Sequence, residues 1–396
     1  MKLADRISNL SESQTIAMAR KSRELIAQGI NVISLSLGEP DFITPQPVKD
    51  AAKKAIDDNF SYYTHVSGYL ELRQAIAKKF KRDNNLDYTA EQIVVSTGAK
   101  QSIINAVLSL VDPGDEVLVP APYWVSYLEM IKLAEGKAVI IPTGIKSDFK
   151  VTAQQIEKAI TPHTRLLMFS SPCNPTGSVY AKEELKAIAE VIVKYPDLYI
   201  IADEIYEYIN FVGKHESIAQ FDFIKDRVVT VNGVSKGFAM TGWRGGYIGA
   251  PLAIAKACDK IQGQFTSATS SITQKAMHVA VELDPAITKA MRDKFLERRN
   301  LVLAMMKDIP GLKTNIPAGA FYVFPDVTYY FGKSDGSTTI KNATDLCAYL
   351  LSDGHIAIVP GEAFGDDNCV RISYATSEAR LKDAFTRIKN SLAKLK

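Results

Sequence analysis

The chain has 396 residues, 46% of them apolar and 23% charged, which is enough for a large buried core and for more than one ordinary domain. Its formal net charge of +3 is small for that length, so it gives no reason to expect nucleic acid or an anionic membrane as a partner. No apolar run reaches the roughly 18 to 20 residues of a membrane-spanning helix.

In chain order, the pattern predicts a helix from about Glu12 to Gln28, ended by Gly29. A short apolar run, Val32-Ile33-Ser34-Leu35, and a Gly/Pro-rich loop, Gly38 to Pro47, follow. From about residue 48, strand-like and helical segments alternate. Seven strands are predicted: Gln92–Ser96, Glu116–Val119, Ala138–Ile141, Leu166–Phe169, Tyr199–Ala202, Val228–Val231 and Tyr247–Gly249. Several are continuous apolar runs bounded by turn residues, the mark of strands buried on both faces. Helical patterns between them, such as Lys182–Val193, imply an α/β domain with a mostly parallel seven-stranded sheet covered by helices. After about residue 285 the texture changes. A charged helix, Ala286–Lys307, leads to strands Phe321–Phe324, Ile356–Val359 and Val370–Ser373, and then to a helix over Ser377–Ala393. The expected division is therefore a large domain over 48–284 and a smaller α+β domain over 285–396, with residues 1–47 packing beside the latter.

Ligands of open α/β sheets bind beyond the carboxyl ends of the strands, so the loops after the strands carry the candidate chemistry. Gly98-Ala99-Lys100 opens a helix and offers backbone N–H groups to an anion; an ordinary strand-to-helix turn has the same pattern. Asp203 and Glu204 end a buried strand, with Tyr206 close behind. A carboxylate there needs a partner, which could be a ligand cation, a metal or a structural arginine. Ser235-Lys236 follows another strand. A lysine so placed can be desolvated into a neutral amine that attacks a carbonyl, although a solvated surface lysine is the ordinary alternative. Arg244, set among glycines, has forked donors suited to phosphate. The prolines of Ser171-Pro172-Cys173-Asn174-Pro175-Thr176-Gly177 hold Asn174 in place, and Trp124 could stack on a planar ligand or belong to the core. Arg371, inside the apolar strand Val370–Ser373, is expected to have a specific acidic partner.

Taken together, from Gly38-Glu39-Pro40-Asp41-Phe42 to Val370-Arg371-Ile372-Ser373-Tyr374-Ala375, with Ser235-Lys236 and Gly242-Trp243-Arg244 as the most specific signature, the chain resembles the fold-type I pyridoxal-phosphate aminotransferases of class I/II. The bacterial aspartate aminotransferase branch is the nearest likeness. The resemblance implies the fold type I architecture and pyridoxal 5′-phosphate as cofactor. Lys236 resembles the lysine that forms a Schiff base, and Asp203 the partner of the pyridine nitrogen. Tyr206 and Asn174 resemble the groups bound to the ring's phenolic oxygen, and Trp124 the aromatic stacked on the ring. Gly98, Ala99, Lys100, Ser235 and Arg244 resemble a phosphate cup. Tyr63, in Tyr63-Thr64 with Gly68 downstream, resembles the tyrosine that reaches the phosphate of the other subunit, which implies a homodimer with shared sites. Arg371, with Asn174, Trp124 and Gly38 beside it, resembles the clamp on the substrate α-carboxylate. Lys100 and Thr15 match positions associated with acidic side chains, so aspartate with 2-oxoglutarate is the expected pair. Aromatic amino acids or prephenate, or a lyase reaction on the same cofactor, are the alternatives. Gly245 departs from the family, which usually has a bulkier apolar residue there.

Gly233-Val234-Ser235-Lys236-Gly237 also fits the G-x-S-x-G elbow of serine hydrolases. That elbow needs a helix straight after the serine and a histidine downstream, and only His278 and His355 are available. No P-loop, Rossmann or zinc-protease motif occurs, so neither a nucleotide cofactor nor a catalytic metal is expected. Cys173, Cys258, Cys347 and Cys369 fit no CxxC or zinc spacing and are expected to be free thiols, which suits a reducing compartment. The mixed-charge start, Met1 to Arg6, has no signal-peptide pattern, so a cytoplasmic location is expected.

Overall fold

The computed structural model describes residues 3–12 and 14–396. The first strand, β1 (Ile33–Ser34), belongs to a small sheet. The next seven are β2 (Ile93–Thr97), β3 (Glu116–Ala121), β4 (Lys137–Pro142), β5 (Thr164–Ser170), β6 (Tyr199–Asp203), β7 (Val228–Gly233) and β8 (Gly245–Gly249). They form one sheet in the order β2-β8-β7-β6-β5-β3-β4, in which only β8 runs antiparallel to its neighbours.

Side chains alternate across a strand, and here both faces are apolar. Leu167, Phe169, Ile200, Ala202 and Val228 enter one core, with helices Gln46–Asp57, Leu70–Lys79, Lys182–Ile192 and Ser271–Glu282. Leu166, Met168, Ile201, Val229 and Val231 enter the other, with helices Ala99–Leu110, Ser126–Leu133 and Leu252–Phe265. Each such aliphatic side chain contributes about 1.5–3 kcal/mol by leaving water. That double burial is why the strands read as unbroken apolar runs. The exception is the edge strand β4, expected over Ala138–Ile141 and running from Lys137 to Pro142, in which Lys137, Ile140 and Pro142 are exposed and Ile141 alone is buried.

The later strands are β9 (Tyr322–Val323), β10 (Ile356–Ala357), β11 (Val359–Pro360) and β12 (Val370–Ser373). β11, β12 and β9 make an antiparallel sheet, and β10 pairs in parallel with β1. The single strand expected over Ile356–Val359 is thus two strands in two sheets. Leu35 is the wedge: its N–H donates to Ala357 O at 2.8 Å and its carbonyl accepts from Ser373 N at 2.9 Å. The N-terminal segment therefore joins both small sheets, and Ile33 and Leu35 share a core with Phe295, Leu346 and Phe385.

Two predicted helices differ at their starts. The helix expected over Ala286–Lys307 begins at Lys289, because Pro285–Thr288 is a 3-10 turn whose Asp284 side chain accepts from Ala286 N. The helix expected from about Glu12 to Gln28 spans Gln14–Ala27, after a short helix Asp5–Ser8, and the expectation at Ser13 lies outside the described residues. Among the described residues no helix is long and apolar enough to cross a membrane, and no cluster of three or more His, Cys, Asp or Glu could hold a metal. All four cysteines are buried free thiols.

Candidate active site

The carboxyl ends of β3, β5, β6 and β7 point the same way, so the segments that follow them converge. They enclose a cavity of about 260 Å³ that also meets β9 and β12 and the N-terminal segment. Of the sequence-predicted residues, Thr15, Gly38, Ala99, Lys100, Trp124, Asn174, Asp203, Tyr206, Ser235, Lys236, Arg244 and Arg371 all line it. Gly98 stands just behind, capping helix Ala99–Leu110 at φ +83, a conformation that suits glycine. Tyr63 is elsewhere and is 96% exposed.

Lys236 is half-buried, and its Nζ donates to Gly38 O at 2.5 Å. Burial favours the uncharged amine and lowers its pKa from 10.5 to about 8; the Glu39 charge opposes that shift and the Arg371 charge adds to it. At pH 7 roughly a tenth of such a lysine is free amine, against less than about one part in a thousand for an ordinary one. Trace amine labelling of the cofactor-free protein across a pH series is therefore expected to give Lys236 a midpoint near 8. A midpoint near the ordinary lysine value would contradict this geometry.

Asp203 ends β6 and is 6% exposed. Burial raises its pKa to about 6, against the opposing effect of hydrogen bonds from Tyr127 Oη to Oδ2 (2.9 Å) and Ile205 N to Oδ1 (3.2 Å). The Lys236 charge also opposes that rise. A carboxylate so placed is poised to pair with a cation brought by a ligand. Tyr206 is buried, and its hydroxyl lies 2.7 Å from that of Tyr322.

At the far side, Arg244 lies against the turn before helix Ala99–Leu110. A Cβ on Gly98 would come within 2.6 Å of its Nη2. A Cβ on Gly246 would collide with Ala99 N and Gly98 C, so the bare backbone of β8 is what lets this helix N-terminus reach the cavity. The first N–H groups of a helix have no partner within it and attract anions. Arg244 and Ser235 line the same part of the cavity, which therefore suits an anion. Gly245, the departure from the family, is matched by Met277, whose Sδ would lie 2.5 Å from a Cβ there.

Arg371 corrects an expectation. It is 1% exposed, yet among the described residues it has no acidic partner. Its Nη1 donates to Asn174 Oδ1 at 2.9 Å and its Nη2 to Ser36 O at 2.5 Å, while Nε is buried and unbonded. The guanidinium carbon lies 4.6 Å from the Tyr322 ring and 4.8 Å from the Phe364 ring. A buried charge held only by neutral groups calls for a carboxylate from outside the chain. Lys100 extends over Trp124, with Nζ 4.9 Å from the ring centroid, and burial of that end together with the Arg244 charge lowers its proton affinity. Thr15 also lines the cavity, and its buried Oγ1 has no hydrogen-bond partner among the described residues.

Sequence reasoning missed Tyr127 and Tyr322. Tyr127 follows Trp124 by one helical turn, a spacing that could have revealed it. Tyr322 carries no local signal. The hydrolase reading fails on geometry, because Ser235 and Lys236 are followed by turns and the 3-10 segment Thr241–Trp243 rather than a helix. Neither His278 nor His355 lines the cavity.

Three comparisons with known proteins place the whole chain in one family. A bifunctional aspartate aminotransferase and glutamate/aspartate-prephenate aminotransferase of Petunia hybrida is 48% identical over 100% of this chain and 83% of its own length. The crystal structure of an aspartate aminotransferase from Rhizobium meliloti superposes with a TM-score of 0.97 at 42% identity, covering 100% of both chains. That of the Thermus thermophilus aspartate aminotransferase with maleate gives 0.93 at 38% identity, covering 99% of this chain and 100% of the other. The family profile for aminotransferase class I and II matches residues 30–388. The chain belongs to the class I and II aminotransferases.

Proposed function

We propose that the chain is a pyridoxal-phosphate-dependent transaminase that passes the amino group of L-aspartate to 2-oxoglutarate, giving oxaloacetate and L-glutamate. The observation that carries this reading is the grouping, around one cavity, of a half-buried low-pKa lysine, a buried carboxylate and a buried arginine that has no acidic partner among the described residues.

The residues present fit that cofactor. Lys236 would hold it covalently, and Asp203 would pair with its ring nitrogen. Asn174 and Tyr206 would meet its phenolic oxygen, and Trp124 would cover its ring. Gly98, Ala99, Lys100, Ser235 and Arg244 would take its phosphate. When bound, the group supplies an aldehyde and an electron-withdrawing ring. The chain supplies the rest. Arg371 orients the amino acid by its α-carboxylate, with Asn174 and Gly38 alongside. Lys236 Nζ, near enough to neutral to accept a proton, takes the proton from the substrate Cα and returns it. Asp203 keeps a negative charge where a protonated ring nitrogen must stay protonated.

Four-carbon and five-carbon diacids suit a cavity that is lined, besides Arg371, Lys236 and Arg244, by the cation Lys100 and by Thr15. The named ligand of the Thermus relative, maleate, is likewise a dicarboxylate. Lys100→Met is expected to lower kcat/KM for aspartate about 10- to 100-fold, the worth of one charge-assisted bond, with a much smaller effect on phenylalanine. An equal loss for both donors would remove the diacid reading. Prephenate is the second candidate acceptor, on the strength of the name of the Petunia relative. A panel of amino donors against 2-oxoglutarate, oxaloacetate and prephenate ranks these reactions and detects any lyase activity.

The reading includes a cytoplasmic homodimer, with residues 48–284 holding the cofactor and residues 1–47 and 285–396 closing over the substrate. Tyr62, Tyr63 and Phe265 are 83%, 96% and 71% exposed, an aromatic group suited to burial against a second copy. From there Tyr63 would reach the partner's phosphate. Sedimentation is expected to give a dimer, and Tyr63→Ala to weaken cofactor retention; a fully active monomer would rule this out.

A further inference from the structure

Tyr322 stands where three pieces of the site meet. It is fully buried on β9, paired with Ser373 two residues beyond Arg371, and its ring lies under the Arg371 guanidinium. Its hydroxyl is 2.7 Å from that of Tyr206. Gly38, whose carbonyl accepts from Lys236, packs so closely on the same hydroxyl that a Cβ there would collide with it.

Each tyrosine hydroxyl has one proton and two lone pairs. Among the described residues neither of these hydroxyls has any other hydrogen-bond partner, and either can be the donor. An anionic oxygen accepts but cannot donate. When such an oxygen enters beside Tyr206, the Tyr206 proton must turn toward it, and the only proton left for the Tyr206 oxygen is that of Tyr322. We propose that Tyr322 is a positioning residue whose hydroxyl donates to Tyr206 and thereby directs the Tyr206 proton at the phenolic oxygen of the cofactor. This rests on the reading of Tyr206 as the donor to that oxygen. A hydroxyl that accepts a hydrogen bond is itself a stronger donor, by about 10–30% per link in a chain. The other charged groups that act on Tyr206 are Arg371, which opposes the rise in its proton affinity, and Asp203, which adds to it; the Lys236 ammonium lies 5.7 Å from its ring.

The test is the pH titration of the absorbance of bound pyridoxal phosphate in four proteins: the parent, Tyr206→Phe, Tyr322→Phe and the double variant. Phenylalanine keeps both rings, so the packing under Arg371 remains, and cofactor uptake by each variant reports folding. Loss of donation to an anionic oxygen raises the pH at which it forms. Tyr206→Phe is expected to move the midpoint up, and Tyr322→Phe to move it the same way by about 10–30% as much. Adding Tyr322→Phe to Tyr206→Phe should change nothing further. A Tyr322→Phe midpoint equal to the parent's, with Tyr206→Phe displaced, overturns the relay and leaves the cofactor reading intact. Additive displacements overturn it too, since Tyr322 would then act without Tyr206. No displacement in any variant removes both the relay and the role given to Tyr206.

Discussion

Lys236→Ala is expected to lower turnover with aspartate by about ten-thousand-fold, the upper range for a positioned proton-transfer group, while the protein still takes up pyridoxal phosphate reversibly. The two parts have separate physical sources. On the proposed reading the amine is the group that accepts a proton from the substrate Cα: its Nζ lies at the Gly38 carbonyl and burial lowers its pKa to about 8. Uptake rests on groups the substitution leaves alone: Asp203 at the end of β6, the N-terminus of helix Ala99–Leu110, and Arg244. Stopped-flow kinetics with aspartate measure the first part and equilibrium dialysis the second. Turnover within tenfold of the parent would mean that another base carries the proton.

Arg371 should give the second large effect. Arg371→Leu is expected to reduce kcat/KM for aspartate by roughly 10²- to 10⁴-fold, because a forked guanidinium–carboxylate contact makes two charge-assisted bonds of about 1.5–3 kcal/mol each. Arg371→Lys keeps the charge but not the fork and should lose less. Cofactor uptake should survive both changes, since the guanidinium bonds Asn174 and Ser36 rather than the phosphate cup. The structure makes the reason visible: a 1% exposed cation with a free Nε and no acidic partner among the described residues is already desolvated for an incoming anion. Steady-state kinetics with aspartate over a wide concentration range test this, and an unchanged KM would show that the arginine is structural.

Much of the site was legible because its chemistry sits at the ends of buried parallel strands, and those strands are the plainest signals in the sequence. Asp203 closes Tyr199-Ile200-Ile201-Ala202, and Ser235-Lys236 follows Val228–Gly233, so their convergence comes with the topology. What escaped depends on tertiary geometry. The break at Ile358 is invisible in an unbroken apolar run, since it arises when Leu35, more than three hundred residues earlier, donates a hydrogen bond to Ala357 of one strand and accepts one from Ser373 of another. The acidic partner expected for Arg371 was a sound inference from burial, but among the described residues the guanidinium meets Asn174 and Ser36 and no acidic side chain. Tyr322 reads as one aromatic among several in Phe321–Phe324, and only the fold sets its hydroxyl against a residue 116 positions away. The glycine at 245 looks like a weakened cup until Met277 is seen against it.

The whole account stands on one covalent anchor at the end of β7. Borohydride treatment of the protein loaded with pyridoxal phosphate, followed by peptide mapping, tests it most directly. The account predicts a single stoichiometric pyridoxyl label on Lys236; a label on a different lysine, or none, would contradict it.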